Sequence, residues 1–138
     1  NVNLTTDIIV GFPGETEEEF AKTYKFLEKI KFYKMHIFKY SPRKGTRAEQ
    51  MPQQIEPQLK EERSKKLIEL SDKNEKEYNN EYVGKQVEVL WEEQKNGIYK
   101  GHTKNYVLVE MNAKSSENKE NVIESVQISQ AYEHYVKV

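Results

Sequence analysis

Leu4-Thr5-Thr6-Asp7-Ile8-Ile9-Val10, followed by Gly11-Phe12-Pro13-Gly14-Glu15-Thr16, decides the fold of the first part of the chain. The first seven residues are β-branched or apolar and read as a buried strand of the kind found in parallel sheets. Gly11 to Gly14 makes a sharp turn. Thr16-Glu17-Glu18-Glu19 then has capping-box spacing, with a hydroxyl for the third amide and a carboxylate reaching back. Phe20, Tyr24, Leu27 and Ile30 recur at helical spacing, which predicts an amphipathic helix over 17–30. Lys34 to Tyr40 (KMHIFKY) reads as a second strand. Strand, helix and strand in this order make a βαβ unit and imply a parallel sheet. Two strands alone cannot build such a sheet with both faces covered, so residues 1 to 50 look incomplete.

Beyond this unit, Ser41 to Glu56 is a polar loop with Pro42, Gly45 and Pro52. Pro57 suits the first turn of a helix. Helix formers continue to about Asn79, with Glu61/Lys65, Glu62/Lys66, Glu69/Lys73 and Asp72/Lys76 four apart and the acid first. Leu59, Leu67, Leu70 and Tyr78 give a narrow apolar side, so the reading is a long, charged, mostly solvated helix joining two domains. From Gly84 the period becomes two. Val87, Val89 and Trp91 share a strand face, and Asn96-Gly97 is a two-residue hairpin signal. Ile98 to Thr103 returns, Lys104-Asn105 turns, and Tyr106 to Met111 makes a third strand. After a polar loop at Asn112 to Asn121, Val122 to Ile128 gives a fourth strand and Tyr132 to Val138 a fifth. Short strands with tight turns predict a small β-barrel. The expected order is α/β followed by all-β, with domains at 1–80 and 81–138.

Composition narrows the function. A net charge of −1 gives no global argument for nucleic acid or membrane, so any RNA site must be a local patch. The sequence contains no cysteine, which excludes thiolate metal sites, cysteine nucleophiles and iron–sulfur ligation by this chain. His36, His102 and His134 are scattered without a second ligand at metal spacing. No apolar run approaches the roughly twenty residues of a membrane span.

Three stretches carry candidate chemistry. At Gly11 to Glu15 a glycine turn precedes a helix N-terminus, whose amides suit an anionic ligand; a plain βα turn is the competing reading. Tyr40-Ser41-Pro42-Arg43-Lys44-Gly45-Thr46 follows the second strand, at the sheet edge where parallel α/β folds bind ligands; a solvated basic loop is the competing reading. Tyr99-Lys100-Gly101-His102-Thr103-Lys104-Asn105-Tyr106 interleaves cations with aromatics, a pattern for phosphates and stacked bases. Alternation puts Lys100 and His102 on one strand face, and an ordinary exposed hairpin is the competing reading.

Thr5 to Thr16 and Phe38 to Ala48 resemble the radical-SAM methylthiotransferases, and Glu62-Arg63-Ser64-Lys65-Lys66-Leu67 resembles the helix that follows in them. The segment from Val83 onward resembles the TRAM domain, the small RNA-binding β-barrel that closes these enzymes. His36 to Met51 and Lys100 to Tyr106 look most like the MtaB type, which adds a methylthio group to carbon two of threonylcarbamoyl-adenosine beside the tRNA anticodon. The MiaB type, acting on isopentenyl-adenosine, and the RimO type, acting on a ribosomal protein, are close relatives.

The resemblance implies the end of a radical-SAM partial TIM barrel, a linking helix and a TRAM barrel. It implies S-adenosyl-L-methionine as cofactor. It also implies two iron–sulfur clusters in the full-length enzyme, none ligated here. By position, Asp7, Ile9 and Gly11 would lie beside the cofactor's adenosine, with Tyr40, Ser41 and Arg43 across the pocket. Tyr99, Lys100, His102, Lys104 and Tyr106 would meet RNA. The expected partners are the tRNA anticodon stem-loop and an N-terminal part of the same protein, in the cytoplasm. Such a fragment would be inactive alone. A stand-alone RNA-binding module is the alternative from another class: the missing cysteines favour it if the chain is complete, and the start at Asn1 without an initiator Met favours the fragment.

Overall fold

The structure is a computed structural model that describes residues 2–113 and 118–138. Residues 114–117 of the expected polar loop lie outside the described residues. The chain divides into two compact units, one of Leu4–Asn74 and one of Asn1–Asn3 with Glu75–Val138.

In the first unit, β1 (Thr5–Val10) and β2 (Lys34–Lys39) pair in parallel, with Thr5 opposite Lys34 and Val10 opposite Lys39. Helix α1 (Glu17–Ile30) connects them. Its N-terminus is a complete capping box: the Glu19 amide donates to the Thr16 hydroxyl, and the Thr16 amide donates to the Glu19 carboxylate at 2.8 Å. Lys31 ends it in the left-handed region and donates its amide to the Leu27 carbonyl. Val10, Phe20, Leu27, Met35, Leu67 and Leu70 form the core, with Ile8, Tyr24, Phe32 and Ile37 packed around it. Ile30 sits outside it, exposed at the last turn of α1.

The capping box leaves an electrostatic signature. The Thr16 backbone amide, and then its hydroxyl, hold the Glu19 carboxyl below its usual value. A depressed carboxyl contributes stability that is present above its unfolded pKa and lost as pH falls through the folded one. Thr16→Ala removes the hydroxyl but keeps the amide. It should raise the Glu19 pKa part of the way back and cost roughly 0.5–2 kcal/mol. NMR titration of Glu19 with thermal unfolding checks both; an unmoved pKa would contradict the cap.

Helix α2 (Pro57–Asn80) departs from the solvated helix expected of it. Lys60, Arg63, Ser64, Leu67, Leu70, Ser71 and Asn74 form a continuous buried stripe within the first unit. The stripe has helical spacing, but most of its members are polar, so an apolar pattern alone does not reveal it. Ser71 uses its hydroxyl to accept the Met35 amide at 3.1 Å, closing a backbone donor on β2. The residues of α2 contribute to both compact units.

In the second unit six strands form one curled sheet in the order β6-β3-β4-β5-β8-β7. They are β3 (Gln86–Lys95), β4 (Ile98–Thr103), β5 (Leu108–Asn112), β6 (Ile123–Gln127), β7 (Gln130–Ala131) and β8 (Val136–Lys137). All pairs are antiparallel except β5 with β8. Asn96 and Gly97 both have positive φ, 52° and 75°, the type I′ geometry that joins twisted strands. The register of β3 shifts between Trp91 and Glu93, a bulge that adds curl. Val89, Trp91, Tyr99, Val107, Val109, Ile128 and Val136 fill the interior.

Two sequence expectations are corrected here. The third strand begins at Leu108, not Tyr106, because Tyr106 has φ 64° and belongs to the turn. Of the fifth strand expected over Tyr132 to Val138, only β8 is strand; β7 precedes it, and between the two the Tyr132 amide donates to the Tyr135 carbonyl.

Gly101 lets two strands of this sheet approach closely. It lies opposite Trp91, and a Cβ there would run into the Leu90 carbonyl group and the Trp91 Cα on β3.

Candidate functional sites in each unit

At the carboxyl end of β1, Gly11 has φ 71°, and a Cβ there would strike the Lys60 side chain. The Gly11 amide donates to Glu15 Oε1 at 3.0 Å. That carboxylate oxygen also meets Arg63 Nη1 at 2.6 Å, and Arg63 is only 2% exposed. Arg63 further donates to the Glu15 carbonyl and to Glu17 Oε2, and it lies over the Phe20 ring. Lys60 donates to the Tyr40 carbonyl at 3.1 Å and sits 5.1 Å from the Tyr40 ring centre.

The amides expected to be open to an anion are therefore largely taken. Gly11 uses Glu15, Gly14 uses the Gln53 carbonyl, Glu15 uses the Phe12 carbonyl, and Thr16 and Glu19 bond each other. The turn is braced from within by Glu15, Lys60 and Arg63, none of which composition singles out. The signal that would have found Lys60 and Arg63 is their helical spacing with Ser64 and with the apolar Leu67.

The other predicted residues of this unit are distributed as follows. Asp7 and Ile9 point to the sheet face opposite the core, where Ile9 is 57% exposed and its register partner Phe38 is 53% exposed. Tyr40 is half-buried, edge-on to Phe12 at 5.2 Å, and its hydroxyl is buried without a hydrogen-bond partner among the described residues. Ser41 and Arg43 are exposed in the loop that follows.

In the second unit, the outer face of the curled sheet carries the remaining predicted residues. Tyr99 does not belong with them: it is 1% exposed, and its ring packs 6.1 Å from Trp91 in the interior, so it presents no face for stacking. Alternation along β4 sends Tyr99 inward and Lys100 and His102 outward. Lys100 pairs with Glu110 at 3.1 Å, and His102 Nδ1 meets Glu92 Oε2 at 2.6 Å. Lys104 is exposed in the turn and pairs with no carboxylate among the described residues.

Tyr106 is 79% exposed and holds a left-handed backbone, which costs a non-glycine residue about 1–2 kcal/mol. Asn105 keeps it there. Its amide nitrogen reaches the Tyr82 hydroxyl at 2.6 Å and the Tyr78 hydroxyl at 3.2 Å, and its Oδ1 accepts from Thr103 at 2.7 Å. The Tyr106 amide closes the turn on the Thr103 carbonyl. Burial, and then its bond to Tyr82, push the Tyr78 hydroxyl pKa well up, so Tyr78 stays neutral across the physiological range. Sequence reasoning missed Asn105 as an anchor because it reads as ordinary turn chemistry.

No family model matches the chain. Individual proteins do. The threonylcarbamoyladenosine tRNA methylthiotransferase MtaB of Bacillus subtilis is 44% identical over 111 residues, covering 77% of this chain. The tRNA-2-methylthio-N(6)-dimethylallyladenosine synthase of Caldicellulosiruptor saccharolyticus is 37% identical over 138 residues, covering 99% of this chain. The synthase of the same name from Acetivibrio thermocellus is 43% identical over 119 residues, covering 84% of it. Over most of its length the chain is thus a homologue of the tRNA methylthiotransferases. Two kinds stand among these relatives, the MtaB type and the dimethylallyladenosine synthases. The chain spans about a quarter of the length of the relatives it matches, 25% of the first and 29% of the Caldicellulosiruptor protein.

Proposed function

We propose that this chain is the C-terminal segment of a tRNA methylthiotransferase that acts on carbon two of threonylcarbamoyl-adenosine beside the anticodon. The observation that carries this reading is the 44% identity to an enzyme named as a threonylcarbamoyladenosine tRNA methylthiotransferase. In this reading the first unit is the end of the radical-SAM barrel and the second is a TRAM barrel, with the boundary near residue 80. The bare sheet face with Ile9 and Phe38 supports the first assignment, since a parallel sheet normally has both faces covered.

The residues present fit one wall of an S-adenosyl-L-methionine pocket. Ile9 and Phe38 offer an apolar face, and the unpartnered Tyr40 hydroxyl is a buried polar group that a ligand atom would satisfy. Asp7, Ile9, Gly11, Tyr40, Ser41 and Arg43 would form that wall. Gly11 would act by shaping the turn, with its own amide held by Glu15. When bound, the cofactor supplies the radical and methyl chemistry. The cluster that starts such chemistry does not fit this chain, which has no thiolate to hold it. In this reading the cluster ligands come from the N-terminal part of the same protein, the chain alone is inactive, and the working compartment is the cytoplasm, where tRNA is modified. Among the described residues, no helix is long and apolar enough to cross a membrane.

The second unit would dock the anticodon stem-loop through Lys100, His102, Lys104 and Tyr106. With Lys100 and His102 already facing carboxylates, few counterions are released. The log–log salt slope of tRNA binding should be shallow, about −1 to −2. Lys104→Ala should weaken tRNA binding and flatten that slope further. Filter-binding titrations of both proteins at several salt concentrations test this; equal affinity and equal slope would remove the turn from the RNA site.

A further inference from the structure

A groove of about 290 Å³ lies on the outer face of β3, β4 and β6, lined by Glu88, Leu90, Glu92, His102, Lys104 and Tyr106, with Ile123 beside them. The register sets His102 on one side of Leu90 and Ile123 on the other. Leu90 and Ile123 are exposed hydrophobics, and the Tyr106 ring stands out from the turn that Asn105 braces. A flat apolar ring system has a stacking surface here and apolar contacts beside it.

The polar groups decide what kind of ring. Glu88 and Glu92 are acceptor-only when ionised, and they repel a phosphate. The His102 ring is already engaged by Glu92. Among the described residues lining it, Lys104 alone offers an unpaired cation, and a neighbouring groove of about 330 Å³, lined by Tyr82, Gln86 and Glu88 among others, shares it. The volume is at the small end for ligand sites, suited to one ring system rather than a whole nucleotide chain.

We propose that this groove receives a single unpaired nucleobase bearing an exocyclic amino group. The base stacks on Tyr106 and donates that amino group to the Glu88 or Glu92 carboxylate, while Lys104 holds a flanking phosphate. This rests on the RNA-docking reading of the second unit and specifies how the docking is done. Cytosine and uracil make the closest comparison, because they share ring size and cytosine carries a 4-amino donor where uracil carries a 4-oxo acceptor, the N3 position changing from acceptor to donor alongside.

The test is fluorescence anisotropy of the 138-residue chain with labelled five-nucleotide oligo(C) and oligo(U), with tRNA in parallel. Oligo(C) should bind roughly 5- to 10-fold more tightly than oligo(U), the net scale of one hydrogen bond. Tyr106→Asn, which tolerates the left-handed backbone, should weaken both oligonucleotides about equally. Glu88→Gln with Glu92→Gln should erase the preference. Equal binding of the two oligonucleotides by the wild-type chain, or an inert Tyr106→Asn, overturns the groove proposal. If tRNA binding and its Lys104 dependence survive in that case, docking stands without a base in the groove. No binding to oligonucleotide or tRNA overturns both.

Discussion

Arg63→Met should destabilise the Leu4–Asn74 unit by about 3–5 kcal/mol, the cost of removing one partner from a buried ion pair. Arg63 is 2% exposed and donates to Glu15 Oε1, to the Glu15 carbonyl and to Glu17. Methionine fills much of the space over Phe20 but leaves the Glu15 carboxylate without its cation. Glu15 in turn holds the Gly11 amide, so the turn after β1 loosens with it. Urea unfolding followed by circular dichroism should show a lower midpoint with an unchanged slope. Adding Glu15→Gln to Arg63→Met should recover part of the loss, because the stranded charge is gone. A single variant as stable as the wild type would mean that the cluster does not brace this unit.

Gly101→Val should unfold the curled sheet at the join of β3 and β4, at a cost of about 3 kcal/mol, the upper end for overpacking. Most overpacked sites relax by moving a side-chain tip. Here the obstacle is the Leu90 carbonyl on the neighbouring strand, so the strands themselves must separate. Trp91 faces Gly101 across the ladder and is the sole tryptophan of the chain. Its Nε1 donates to Glu124, whose carboxyl is held below its usual value by Lys119 and then by Trp91 itself. The variant should therefore show a red-shifted Trp91 emission together with a lower unfolding midpoint. Native-like emission at the wild-type midpoint would contradict the close approach.

The βαβ unit was legible because its signals are local. The capping box, the apolar period of α1 and the β-branched run of β1 each specify structure within a few residues, and α1 runs Glu17–Ile30 as its sequence predicts. Asn96-Gly97 set the hairpin for the same reason. The buried side of α2 was illegible because polar residues occupy it, and their burial depends on partners distant in sequence, such as Glu15 for Arg63. At the candidate RNA face, alternation placed Lys100 and His102 outward but could not weigh their carboxylate partners, Glu110 and Glu92, which arrive from other strands or from the far side of the hairpin. Tyr99 looked like a stacking residue because aromatic type alone does not say which way a ring faces; its position in the alternation, inward with Gly101 and Thr103, does.

The most direct test is an NMR titration of the isotopically labelled chain with a tRNA anticodon stem-loop. The amide shifts should concentrate at residues 88–92, 102–106 and 123, on the face that carries Lys104 and Tyr106. Shifts confined to β1 and α1, or none at stem-loop concentrations well above those of the protein, would contradict RNA docking by the curled sheet.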